Sequence, residues 1–110
     1  MKGTTKTIDA VELSRLIQSG EAPRVIDVRS PAEVARGTIT GAMNIELSTL
    51  PARLSELDSD APLVVVCQSG ARSAQACAYL AERGFRRASN LGGGITGWMQ
   101  AGLPLNGRDR

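Results

Sequence analysis

The 110-residue chain contains no histidine and only three aromatic residues, Tyr79, Phe85 and Trp98. Lack of histidine excludes a His-based catalytic triad, a His general base and a His-ligated metal. So few aromatics leave almost nothing on which the bases of a nucleic-acid strand could stack. Cysteine is scarce too: Cys67 and Cys77 are the whole set. Two thiols without histidine cannot complete a zinc site, and a small secreted disulfide scaffold would use four or more. No stretch approaches the roughly 18 apolar residues that cross a bilayer. The opening Met1-Lys2-Gly3-Thr4-Thr5-Lys6 leads into no apolar core of a signal peptide. The expectation is a soluble protein of a reducing cytoplasm.

What is present is ordinary globular composition, with 42% hydrophobic and 22% charged residues. Thirteen basic and eleven acidic residues are mixed along the chain, for a net charge of +2. Such balance provides neither a nucleic-acid stripe nor a polybasic membrane patch. The length suits one domain and is too short for two.

Helical and strand patterns alternate. Asp9 followed by Glu12 predicts a helix start with a capping-box pair; Val11, Leu13, Leu16 and Ile17 form its apolar face and Gly20 its stop. Arg24 to Val28 predicts a short strand. Ser30-Pro31-Ala32-Glu33 predicts a second, short helix with proline at its first position. Ala42 to Ile45 reads as a strand and Leu50 to Leu57 as a helix. Leu63-Val64-Val65-Val66 has no polar alternation, as expected of a strand covered on both faces. A helix over Ser73 to Arg83 follows, closed by Gly84, then a last strand over Ala88 to Leu91 and a short helix around Trp98. The alternation predicts an α/β domain with a mostly parallel sheet flanked by helices. Ligands of such sheets sit beyond the carboxyl ends of the strands, where Cys67 falls.

Cys67 joins a buried strand to a helix start through Gln68-Ser69-Gly70-Ala71-Arg72. Unpaired N–H groups of a helix start favour negative charge, and a tight loop around Gly70 turns further N–H groups inward. Both lower a thiol pKa from about 8.5, and Arg72 adds a permanent positive charge. Cys67 would then be a nucleophile without help from a general base. The bland alternative is an inert buried cysteine, against which the polar, glycine-containing loop argues.

Three segments resemble the single-domain rhodanese family. Asp27-Val28-Arg29-Ser30-Pro31-Ala32-Glu33, continuing into Gly37-Thr38-Ile39-Thr40-Gly41-Ala42-Met43-Asn44-Ile45, is similar to its entry motif. Cys67-Gln68-Ser69-Gly70-Ala71-Arg72-Ser73 resembles its active-site loop. Leu91-Gly92-Gly93-Gly94-Ile95-Thr96-Gly97-Trp98 with Gly102-Leu103-Pro104 resembles its closing motif. The match runs from about Thr7 to Leu105, implying one rhodanese domain over residues 1–110 with short tails. It implies a sulfurtransferase whose Cys67 takes a sulfane sulfur from thiosulfate or a persulfide donor and hands it to cyanide, a thiol or a sulfur-carrier protein. Gln68 to Ser73 would bind the substrate and the persulfide. Arg72 would help to hold the anionic donor, with Asp27 as a candidate brace and Arg29 in support. Neither a metal nor an organic cofactor is implied, nor a nucleic-acid or membrane partner. Thr38 and Thr40 depart from the family's usual His and Pro, which predicts altered packing rather than altered chemistry. Gln68 and Ala71 stand where some relatives carry Arg or Lys, so fewer charges face the donor.

Other readings compete. A non-enzymatic sulfur relay or regulatory module would keep the same loop. A cysteine phosphatase or arsenate reductase shares the logic of thiolate, nest and arginine. By family analogy it encloses five residues between Cys and Arg, where this loop encloses four, although Asp58 or Asp60 could approach as its proton donor. Gly92-Gly93-Gly94-Ile95-Thr96-Gly97 fits the dinucleotide pattern G-x-G-x-x-G, but no second βαβ unit follows, so the glycines read as a tight turn. Cys77 reads as a small packing residue rather than a resolving thiol, and Trp98 as core. Arg83, Arg86 and Arg87 read as solvated charge at a helix end, with docking of an acidic sulfur carrier as the sharper alternative. Arg108-Asp109-Arg110 reads as a solvated tail.

Overall fold

Asp9 starts the first helix: its side chain accepts a 2.8 Å hydrogen bond from the Glu12 N–H at the head of α1, Ala10–Gln18. Only half of the expected capping box forms there, because the Glu12 carboxylate is drawn to Arg15 instead. The full box is found at helix α2, Pro31–Ala35. Ser30 Oγ accepts from the Glu33 N–H at 3.2 Å, and Glu33 Oε1 accepts from the Ser30 N–H at 3.0 Å. This computed structural model describes residues 6–106. The readings of the segment before Lys6 and of Arg108-Asp109-Arg110 lie outside the described residues.

The remaining elements are strands β1 (Lys6–Ile8), β2 (Arg24–Asp27), β3 (Met43–Asn44), β4 (Leu63–Val66) and β5 (Ala88–Leu91), with helices α3 (Ala71–Glu82) and α4 (Gly94–Gln100). Their sheet runs β1-β5-β4-β2-β3, and every pairing is parallel. The edge strand β1 was not anticipated, since Lys6 and Thr7 are exposed and form no apolar run. Where an α-helix was expected over Leu50 to Leu57, the chain forms a 3₁₀ helix over Leu47–Glu56. Pro51 lies inside it; proline removes an N–H and clashes with the turn behind it, which disfavours a regular α-helix.

β4 is buried along its whole length because both faces are covered. Val64 and Val66 point into a cluster with Leu13 of α1 and Ile95 and Trp98 of α4. Val65 and Cys67 point the other way, among Ile26, Val28, Leu50, Ala76, Cys77 and Leu80. After β2 the chain moves outward to β3, whereas after β4 it moves in the opposite direction to β5. The crevice between the carboxyl ends of β2 and β4 is therefore the topological switch point, where ligands of open α/β sheets bind. Asp27 ends β2 and Val66 ends β4, and the two are register partners. Val28 and Cys67 consequently emerge side by side, and Arg29 follows beside Gln68.

Candidate active site

Cys67 follows the last residue of β4, and the chain turns at Gly70 (φ 108°) into α3. The helix begins at Ala71, two residues earlier than expected, so Arg72 and Ser73 lie in its first turn. The Cys67 sulfur is 1% exposed as a residue and accepts a 3.0 Å hydrogen bond from the Gly70 N–H. The Ser73 hydroxyl stands 3.3 Å from the same sulfur. Burial pushes the thiol up, but the Ser73 hydroxyl and the N–H groups of Ser73, Gly70 and Ser69 outweigh it and bring the thiol below its ordinary range. These donors favour the thiolate over the thiol.

The loop is fixed from three sides. From β5, Asn90 donates to the Gly70 carbonyl at 3.2 Å and accepts from the Ser73 hydroxyl. From α4, the Ile95 N–H donates to the Cys67 carbonyl at 2.9 Å and the Thr96 N–H to the Gln68 carbonyl at 3.0 Å. The glycine run makes that approach possible: a Cβ on Gly94 would lie 2.4 Å from the Cys67 carbonyl oxygen and 2.6 Å from that of Gln68. These N–H groups of α4 are therefore spent on the loop, and the G-x-G-x-x-G pattern serves packing, not a dinucleotide. From the β2 side, Arg29 Nη1 donates to Gln68 Oε1 at 3.2 Å, while Gln68 Nε2 donates to Thr96 at 2.9 Å.

The arginines are partnered differently from the sequence expectation. Asp27, wholly buried, faces Arg29 rather than Arg72: it accepts from Arg29 Nη2 at 2.9 Å, from Arg29 Nε and from the Arg29 N–H. Thr38 completes its shell with a 2.7 Å bond to Asp27 Oδ2, which is how the departure at Thr38 is accommodated. Thr40 is exposed. With its oxygens occupied, Asp27 cannot also brace Arg72. That work falls to Glu33, whose two oxygens accept from Arg72 Nη1 and Nη2 at 2.8 and 2.9 Å. The side chains of Ser69 and Ala71 are exposed, leaving the loop's inner wall to its backbone.

Two pockets flank the Arg72–Glu33 pair. One, of about 500 Å³, is lined by Val28, Leu47, Leu50, Arg72, Gln75 and Tyr79 among others and lies on the face of the sheet to which Cys67 points. The other, of about 380 Å³, is lined by Arg29, Glu33, Arg36, Gln68 and Met99 among others. Asp58 and Asp60 precede the first residue of β4, whereas Cys67 follows its last, so neither carboxylate stands at the thiol. Cys77 is buried, and burial pushes its thiol up to about 12, which leaves it an inert packing group. Trp98 is buried and donates to the Pro104 carbonyl at 2.9 Å. Arg83, Arg86 and Arg87 are exposed at the far end of α3, with the Arg83 guanidinium 5.2 Å from the Tyr79 ring centre.

The family pattern described as Rhodanese-like domain matches residues 9–101. The chain belongs to the rhodanese-like family. This rhodanese-like domain is 44% identical to a sulfurtransferase of Allochromatium vinosum, over 89% of the chain and 92% of that protein. It is 36% identical to the thiosulfate sulfurtransferase GlpE of Shewanella oneidensis, over 83% of the chain and 92% of the relative. Its backbone is similar to that of a rhodanese-related protein from Thermoplasma volcanium, with a TM-score of 0.85, 33% identity and coverage of 94% and 99%. Membership places the domain among sulfurtransferases. No helix among the described residues is long and apolar enough to cross a membrane.

Asn90 and Glu33 are the site residues that sequence reasoning missed. The only signal for Glu33 was its place three residues after Ser30, which the capping box explained without remainder. Asn90 gave a weaker signal, as the polar residue just before the closing Leu91 of β5.

Proposed function

We propose that the domain transfers sulfane sulfur through a Cys67 persulfide. The observation that carries this reading is the convergence of backbone N–H groups and the Ser73 hydroxyl on one buried sulfur. Donors fixed in a site that excludes water stabilise negative charge without reorganising, as an oxyanion hole does. The Cys67 thiolate attacks the outer sulfur of thiosulfate or of an organic persulfide; the new S–S bond forms as the old bond to sulfur breaks, releasing sulfite or a thiolate. From thiosulfate or an ionised persulfide the terminal sulfur now carries the charge and lies within the same cradle; from R–S–SH it keeps the proton and the departing R–S⁻ carries the charge. A thiolate or cyanide then attacks that terminal sulfur, and the Cys67 thiolate is regenerated as the leaving group. Atoms and charge balance in both halves, and no general base is needed because each nucleophile enters ionised.

The pocket of about 500 Å³ lies on the Cys67 side of the sheet, and its apolar wall of Val28, Leu47, Leu50 and Tyr79 suits the body of an acceptor thiol or the tip of a carrier protein. A reducing compartment such as the cytoplasm suits a site that cycles through a free thiolate. Intact mass after incubation with thiosulfate or an organic persulfide, then with cyanide, tests the reading. Wild type should gain one sulfur and lose it to cyanide, and Cys67→Ser should gain none. Folded, reduced wild type that takes sulfur from no donor would overturn it.

A further inference from the structure

Arg72 is the positive charge nearest the loop's helix end, yet it does not stand free. Both of its terminal nitrogens are committed to Glu33 in a two-pronged ion pair, with the two side chains 39% and 33% exposed. Glu33 is held in place from behind, since its Oε1 also accepts from the N–H and hydroxyl of Ser30. Hydrogen bonds from Arg72 and from the Ser30 N–H hold its carboxyl at about 2, so it stays charged throughout the neutral range. The other charges at the mouth cancel as well. Arg29, Arg36 and Arg72 stand against Asp27, Glu33 and Glu46. Once Cys67 ionises, the mouth carries a net negative charge.

We propose that Glu33 sets the donor class of this site: by neutralising Arg72 it disfavours small dianions such as thiosulfate and leaves organic persulfides, which bring at most one charge at the reacting end, as the favoured donors. This rests on the persulfide reading above and deepens it. For thiosulfate, Cys67 thiolate must approach a dianion with only backbone N–H groups and the Ser73 hydroxyl to offset the repulsion. An organic persulfide R–S–SH delivers its outer sulfur with less charge; Cys67 bonds to that sulfur, R–S⁻ departs, and the proton stays on the new persulfide. Glu33 is here a selectivity residue acting through Arg72, not a group that touches the reacting sulfur.

Glu33→Gln is the discriminating variant. A glutamine oxygen at the Oε1 position keeps the helix cap and one bond to Arg72, while the charge is lost. The measurement is KM for thiosulfate against KM for cysteine persulfide, in wild type and variant, with thermal melts to confirm the fold. Removing one negative charge several ångströms from a dianion should lower the thiosulfate-to-persulfide KM ratio about five- to tenfold at low ionic strength. The effect should shrink toward unity in about 0.5 M salt, because exposed charges are screened there. A folded variant whose KM ratio is unchanged or raised would overturn the proposal and leave Glu33 as scaffold for Arg72. Uptake of sulfur by wild type from neither donor is a separate result, and it would sink the persulfide reading itself.

Discussion

The Ser73 hydroxyl lies 3.3 Å from the Cys67 sulfur, close enough to donate a hydrogen bond to it. The same hydroxyl also faces Asn90 Oδ1. It has one proton and two acceptors, and an ionised sulfur is the stronger claimant. With the sulfur protonated, the proton can serve Asn90; with the sulfur ionised, it can turn toward Cys67.

Ser73→Ala therefore removes a donor that acts only on the charged form of the nucleophile. Burial, which raises the Cys67 pKa, would then be opposed by the backbone N–H groups alone. The pH profile of iodoacetamide alkylation should shift to higher pH in the variant, with slower alkylation at neutral pH. Ser73→Thr, which keeps the hydroxyl, should restore much of the effect. An unmoved profile in Ser73→Ala would show that the backbone alone sets the thiolate.

Much of this site was legible because its signals are local. A run of four apolar residues, Leu63 to Val66, followed at once by Cys67 and a glycine-containing polar loop, places a cysteine at a strand's carboxyl end from spacing alone. Ser30-Pro31-Ala32-Glu33 likewise announces its own helix. The partners of the two arginines were not legible. Arg72 meets Glu33 across 39 residues of chain, and capping already accounted for the glutamate. Asp27 was assigned to the wrong arginine because Arg29, two residues away, can fold back on it in a way that strand periodicity does not reveal. β1 escaped notice for a different reason: Lys6 and Thr7 are exposed, and the strand is held at the sheet edge by pairing with Ser89, Asn90 and Leu91. Pairing of that kind leaves no hydrophobic pattern to read.

The glycine run offers a test of how closely α4 must approach the loop. Gly94 has a φ of 57°, and its missing Cβ leaves room for the carbonyls of Cys67 and Gln68. Alanine there suffers both the left-handed penalty and a clash with backbone that cannot swing aside. The combined cost should be about 2–5 kcal/mol. Gly20 has a φ of 83° with nothing near its missing Cβ, so Gly20→Ala should cost only about 1–2 kcal/mol. Urea unfolding of both variants gives the comparison; equal losses would mean that the packing of α4 against the loop relaxes freely.

Asp27 and Arg29 form a buried pair, 0% and 3% exposed, that also anchors Thr38 and Gln68. A second Arg29 bond, 2.7 Å from Nη2 to the Gly37 carbonyl, ties down the chain leading to Thr38. Asp27→Asn keeps the volume and removes the charge, leaving a guanidinium in the interior with no counter-ion. Breaking such a pair from one side costs about 3–5 kcal/mol, because the remaining charge stays desolvated. For a domain of this size that is a fall in Tm on the order of 15 °C or more. Since Arg29 holds Gln68, the damage should reach the nucleophile too, and Cys67 alkylation in the folded variant should become faster as the loop loosens. A loss below about 1 kcal/mol with an unchanged alkylation rate would show that Arg29 finds its compensation in Gly37 and Gln68 alone, and that the carboxylate of Asp27 is dispensable to the loop.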